Sequence, residues 1–105
     1  MSIDNNRLLL KIDTTIRELN RNVINATIPE LTIADIVQVM DLVARTRARY
    51  LKELFDLAEV AGSDMPSPEQ IRQLSALRET YEELVQGAQA LETAIQRGYV
   101  DVESS

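Results

Sequence analysis

The chain contains no histidine, no cysteine and no tryptophan. Those absences exclude Ser-His and Cys-His nucleophilic catalysis, thiol chemistry, disulfide staples and the usual zinc sites together. Aromatic residues are scarce as well, limited to Tyr50, Phe55, Tyr81 and Tyr99. Three glycines and three prolines in 105 residues supply too few turn residues for a many-stranded β fold. No apolar run exceeds Leu8-Leu9-Leu10, far short of a membrane span, and Met1-Ser2-Ile3-Asp4-Asn5-Asn6 lacks the basic start and apolar stretch of a secretory signal. With no cysteine to require an oxidising compartment, the expectation is a cytoplasmic protein without a membrane partner. Positive charge is in deficit: eleven basic against seventeen acidic residues give a net charge of -6, which repels a phosphate backbone and argues against a nucleic-acid partner.

What is present is helix-forming. Apolar residues make up 45% of the chain and charged residues 27%, the balance of a soluble globular protein, and the length suits one domain. Leu9, Ile12, Ile16, Leu19 and Val23 recur at alternating steps of three and four residues, which predicts a first amphipathic helix over about 4–25. Pro29 disfavours helical geometry at Ile28, and Thr32-Ile33-Ala34-Asp35 resembles a capping box, so a second helix is expected over about 33–61, closed by Gly62. Ser67-Pro68-Glu69-Gln70 combines a serine cap, proline at the first helical position and a glutamine placed to reach back. A third helix therefore runs over about 68–97 and ends at Gly98. The domain spans 1–98, and 99–105 is expected as a mobile acidic tail.

The second and third helices carry sustained heptads. One contains Ile36, Met40, Val43, Arg47, Tyr50, Leu54, Leu57 and Ala61; the other contains Leu74, Leu77, Tyr81, Leu84, Ala88, Leu91 and Ile95. Two rods of about 45 Å joined by a short turn must run antiparallel, which gives an all-α, coiled-coil-like helical hairpin plus an N-terminal helix. Residues whose numbers sum to roughly 129 then lie side by side, and Arg45, Arg47, Arg49 and Lys52 face Arg78, Glu79, Glu82 and Glu83. Apolar residues of the second helix spread over roughly 160°, more than one partner helix covers. The second neighbour is either the N-terminal helix or another copy of the chain, and the shortness of the N-terminal helix favours a dimeric helical bundle.

Several residues stand out against this background. Arg47 occupies a heptad slot that would ordinarily hold leucine or valine. A buried guanidinium costs several kcal/mol without a partner, so pairing with Glu82 or Glu83, or snorkelling to an edge, is expected. The remaining uses of Arg47 are a register device across a dimer or an anion site shared with Arg7, Lys11 or Arg78. Ala76, Thr80, Gly87, Ala90 and Ala94 form a stripe of small residues on the third helix, and Gly87 costs about 1 kcal/mol relative to alanine unless another backbone packs there. Neither a metal nor a cofactor is expected: the carboxylates at i, i+3 spacing read as solvated, and a di-iron bundle needs Glu-x-x-His pairs.

Arg7-Leu8-Leu9-Leu10-Lys11-Ile12-Asp13 resembles the opening of the long first helix of the small all-helical chorismate mutases. The likeness covers seven residues. That family clamps a dianionic substrate with further basic residues along the same helix, and here no such series follows Arg21 before Pro29. The expectation is therefore a non-catalytic protein-protein interaction module, a small adaptor, secretion-type chaperone or assembly factor that forms a homodimer and binds another protein. A small helical enzyme or anion-binding protein centred on Arg47 is the alternative.

Overall fold

The computed structural model describes residues 4–103. Helix α1 spans Asn5–Thr27, α2 spans Ile33–Ala61 and α3 spans Pro68–Gln96, with a two-residue strand β1 at Leu31–Thr32 and another, β2, at Val102–Glu103. The fold is all-α, with 81% of these residues helical.

Each helix begins and ends where local chemistry satisfies its free backbone groups. At the start of α1, the Asp4 carboxylate accepts from the Asn6 backbone N–H at 3.1 Å. The helix reaches Thr27, two residues past the expected end, because Pro29 constrains only the residue before it. The Ile28 N–H still donates to the Ile24 carbonyl at 2.7 Å. Both predicted capping boxes form. Thr32 and Asp35 exchange backbone-to-side-chain hydrogen bonds at 2.9 and 3.2 Å, and Ser67 and Gln70 do the same at 2.8 and 3.1 Å. Gly62, with φ of 58°, closes α2 in the left-handed region. Gly98, with φ of 74°, closes α3, where Gly98 N–H donates to Ile95 and Tyr99 N–H to Ala94, the two bonds of a Schellman ending.

The chain divides into two compact units, one formed by Val37–Ala90 and the other by the described residues on either side of that segment. In the first, α2 and α3 pack against each other as a helical hairpin. Its most enclosed side chains are Val43 and Leu57, and Tyr50, Leu74, Leu77, Tyr81 and Leu84 are half-buried beside them.

In the second unit the C-terminal segment differs from the acidic tail expected at 99–105. Beyond Gly98 the chain turns back, and Val102–Glu103 pairs in parallel with Leu31–Thr32, Leu31 opposite Val102 and Thr32 opposite Glu103. Val100 is only 5% exposed, the most enclosed of the buried apolar residues. The reason is an alternation within this short segment. Val100 and Val102 alternate with Asp101 and Glu103, a strand pattern that overall acidity conceals. The acidity of Asp101 is answered directly by Arg21, whose guanidinium bonds both Asp101 carboxylate oxygens and the Gly98 carbonyl. Ser104 and Ser105 lie outside the described residues.

Candidate interaction surface

Helix α2 presents two apolar rows. Val43, Tyr50 and Leu57 belong to the row turned toward α3. About a third of a turn round the helix lies a second row, Val37, Met40, Ala44, Leu51 and Phe55, all of it exposed, Phe55 to 71%. Both rows exist because apolar residues occupy positions spread over more than one contact face. A single partner helix covers a stripe of roughly 100°.

Arg47 sits at the border between these rows. It is exposed, and its partner is neither Glu82 nor Glu83. Instead Arg47 Nε donates to the Tyr81 hydroxyl at 3.0 Å, and the guanidinium carbon lies 5.4 Å from the centre of the Tyr81 ring. Tyr81 in turn leans on Tyr50, ring centroids 6.1 Å apart and tilted by 31°. The physical reason is reach. A snorkelling arginine finds the first acceptor along the groove, and Tyr81 stands there on the facing heptad seam, whereas Glu82 and Glu83 point further out into water. The antiparallel register that sets residues summing to roughly 129 side by side places Arg47 next to Tyr81, so the expected alternative of snorkelling to an edge ends on an aromatic acceptor and not on Glu82 or Glu83.

The charges flanking the hairpin are satisfied along single helices. Arg45 pairs with Asp41 at 2.8 Å, Lys52 with Asp56 at 2.8 Å, Arg72 with Glu69 at 2.5 Å and Arg78 with Glu82 at 3.9 Å. All are three or four residues apart, so the expected complementarity across the hairpin is realised as pairing within each helix. The hydrogen bond that the Lys52 ammonium donates to Asp56, and then the charge of that carboxylate, hold Lys52 above the ordinary lysine value.

The small-residue stripe of α3 is open. Ala76, Thr80, Gly87 and Ala90 are exposed, and Ala94 is half-buried. A Cβ added at Gly87 would meet nothing within 4 Å. The Thr80 hydroxyl turns back onto the Ala76 carbonyl at 3.2 Å and offers no outward donor. Glu83 lines a shallow groove beside this stripe with Glu79, Thr80 and Leu84. Glu82 is engaged with Arg78 on the helix surface.

Of the basic residues grouped with Arg47 in the anion-site reading, Arg78 is turned to Glu82. Arg7 and Lys11 belong to the other unit, where they edge an apolar groove of about 500 Å³ on α1 with Leu8, Ile12, Thr15 and Ile16. The α1 seam itself, Leu9, Ile12, Ile16, Leu19 and Val23, is exposed throughout, Leu19 to 59%. Among the described residues no cluster of three or more acidic side chains is placed to hold a metal ion, and no helix is long and apolar enough to cross a membrane. Comparison of the chain with protein-family models, with curated proteins and with solved structures yields no match.

Proposed function

We propose that this chain is a non-catalytic protein-protein interaction module of the cytoplasm, a small adaptor, secretion-type chaperone or assembly factor that associates with itself and with another protein. The observation that carries the reading is the second apolar row of α2, which runs from Val37 to Phe55 and is exposed along its length. Scattered apolar residues on a surface need no explanation. Exposed apolar residues that recur on one face of a helix over about five turns are more than scatter and support a face that another chain covers. The composition supports the same reading from the other side. Histidine and cysteine, which run much acid-base and nucleophilic chemistry, are missing, and Asp41, Asp56 and Glu82 are engaged in exposed pairs along single helices. A net charge of -6 leaves proteins favoured over nucleic acids or anionic membranes as partners.

Light scattering of the purified chain, combined with co-purification from its source, tests the proposal. A mass above that of one 11.8 kDa chain, or a stoichiometric partner protein, is expected. A monodisperse monomer that recovers no stoichiometric partner overturns it.

A further inference from the structure

The short segment 98–103 touches an end of every helix. Gly98 closes α3, and its carbonyl, which has no partner inside the helix, accepts from Arg21 of α1 at 3.1 Å. The same guanidinium forks onto both carboxylate oxygens of Asp101. Further on, Val102–Glu103 pairs with Leu31–Thr32, and Thr32 is the residue whose hydroxyl accepts from the Asp35 N–H at the start of α2. Val100, in the middle of the segment, is 5% exposed.

Burial on α1 is confined to the place where this segment meets it. Asn20, Arg21, Ile24 and Asn25 are half-buried, whereas every residue over 4–19 is exposed. Helices of this length are marginal in water on their own, and the asparagines and threonines of α1 lower its propensity further. Its folded state therefore leans on its anchored end.

We infer that 98–103 is a clasp with Arg21 as its catch: closed, it holds α1 folded, and opened, it releases α1 and the link over 28–31 together while the hairpin of α2 and α3 stays formed. This goes beyond the interaction reading and does not depend on it. The clasp is poised to open, because an exposed ion pair, a two-residue strand pairing and one enclosed apolar side chain form a small cooperative unit. Val43 and Leu57 belong to the other compact unit and are enclosed along a heptad seam that 98–103 is no part of. Opening therefore costs the hairpin none of its own packing. The device makes α1, with its exposed row from Leu9 to Val23, an arm whose order is set from the far end of the sequence.

Native-state amide exchange of the full chain tests it, with helical circular dichroism recorded alongside. Asp101→Arg sets two guanidiniums against each other at the catch, and Asp101→Glu keeps the carboxylate. In Asp101→Arg the amides of α1 and those of Val102 and Glu103 should exchange faster by one common factor, about tenfold, while Val43 and Leu57 stay as protected as in the unaltered chain. Asp101→Glu should stay within about twofold of the unaltered chain at all of these amides. Faster exchange at Val102 and Glu103 alone overturns the inference, because the segment would then lie on α1 without holding it. Equal acceleration in α1 and the hairpin overturns it as well, since the chain would then open as one unit, and a loss of helical signal counts the same way. No acceleration anywhere, or Asp101→Glu behaving like Asp101→Arg, removes Arg21 as the catch and the clasp with it.

Discussion

Arg47 donates its Nε hydrogen to the Tyr81 hydroxyl at 3.0 Å while its guanidinium lies over the same ring, so one aromatic side chain answers a charge that no carboxylate among the described residues reaches. The arrangement lets an arginine occupy a heptad slot without being buried: its stem lies on the hairpin and its head stays in water. Cation-ring contacts at exposed sites contribute about 0.5–1 kcal/mol. Tyr81→Phe keeps the ring and removes the hydroxyl, and it is expected to cost about 0.5 kcal/mol in urea unfolding. Tyr81→Ala also removes the contact with Tyr50 and costs about 2–3 kcal/mol. Arg47→Met stays within about 1 kcal/mol of the unaltered chain, because methionine fits the slot that arginine borrows. A loss above about 2 kcal/mol for Arg47→Met would mean that the charge has a stronger partner than Tyr81.

Arg21 holds the C-terminal segment through Asp101 and the Gly98 carbonyl, although the pair itself is largely exposed. Exposed ion pairs contribute little, so Arg21→Met is expected to cost about 1 kcal/mol, mostly through the bond to the helix-ending carbonyl. Val100→Ser costs more, about 2 kcal/mol, because it places a hydroxyl at one of the most enclosed sites in the chain. Amide hydrogen exchange separates the two effects. Both variants should speed exchange at Val102 and Glu103, whereas the amides of Val43 and Leu57 in the hairpin keep their protection.

How much of this was readable beforehand depends on the length of the pattern. The α2 boundaries and both capping boxes were legible because the signals are local and redundant: Ser67, Pro68 and Gln70 each mark the same helix start. The Arg47 slot is legible as an anomaly whose charge must pair or snorkel, but a neutral hydroxyl acceptor such as Tyr81 carries no charge signal in the sequence, although the pairing register sets it alongside. The C-terminal strand was not legible as structure. The alternation of Val100 and Val102 with Asp101 and Glu103 is only four residues long, and the partner, Leu31–Thr32, lies some seventy positions away, so the short pattern does not say what Val102–Glu103 pairs with.

The three glycines should separate under substitution. Gly62 and Gly98 have positive φ, so alanine at either site is expected to cost about 1 kcal/mol in thermal or urea unfolding. Gly87 lies inside α3 with open space where a Cβ would point, and Gly87→Ala should stabilise the isolated chain by about 1 kcal/mol. If Gly87→Ala raises stability yet weakens binding to a co-purified partner, the small-residue stripe is a docking face. Unchanged binding would make it an ordinary solvated helix surface.

Lys52 and Asp56 give a pH signature with a defined sign. The folded value of Lys52 is raised, chiefly by the Asp56 hydrogen bond, so what the pair contributes is present at neutral pH and is lost as pH rises through that folded value. Asp56→Asn should move the Lys52 midpoint downward in an NMR titration. The pair is exposed and its stabilising effect correspondingly small, so the titration is the readout that resolves it.

Leu57 and Phe55 stand two residues apart on α2 and should respond in opposite ways. Leu57 is 8% exposed inside the hairpin, and Leu57→Ala is expected to destabilise the isolated chain by about 2–4 kcal/mol through lost burial and the cavity left behind. Phe55 is 71% exposed, so Phe55→Ser should leave the unfolding midpoint of a dilute sample nearly unchanged. Association links the two measurements. Where a partner covers the outer row, the unaltered chain unfolds at a midpoint that rises with protein concentration, and Phe55→Ser flattens that dependence. Leu57→Ala shifts the midpoint down at every concentration by a similar amount and leaves its slope in place. Unfolding followed over a hundredfold range of concentration distinguishes them, and a concentration-independent midpoint for the unaltered chain would show that no second copy covers the Phe55 row in that range.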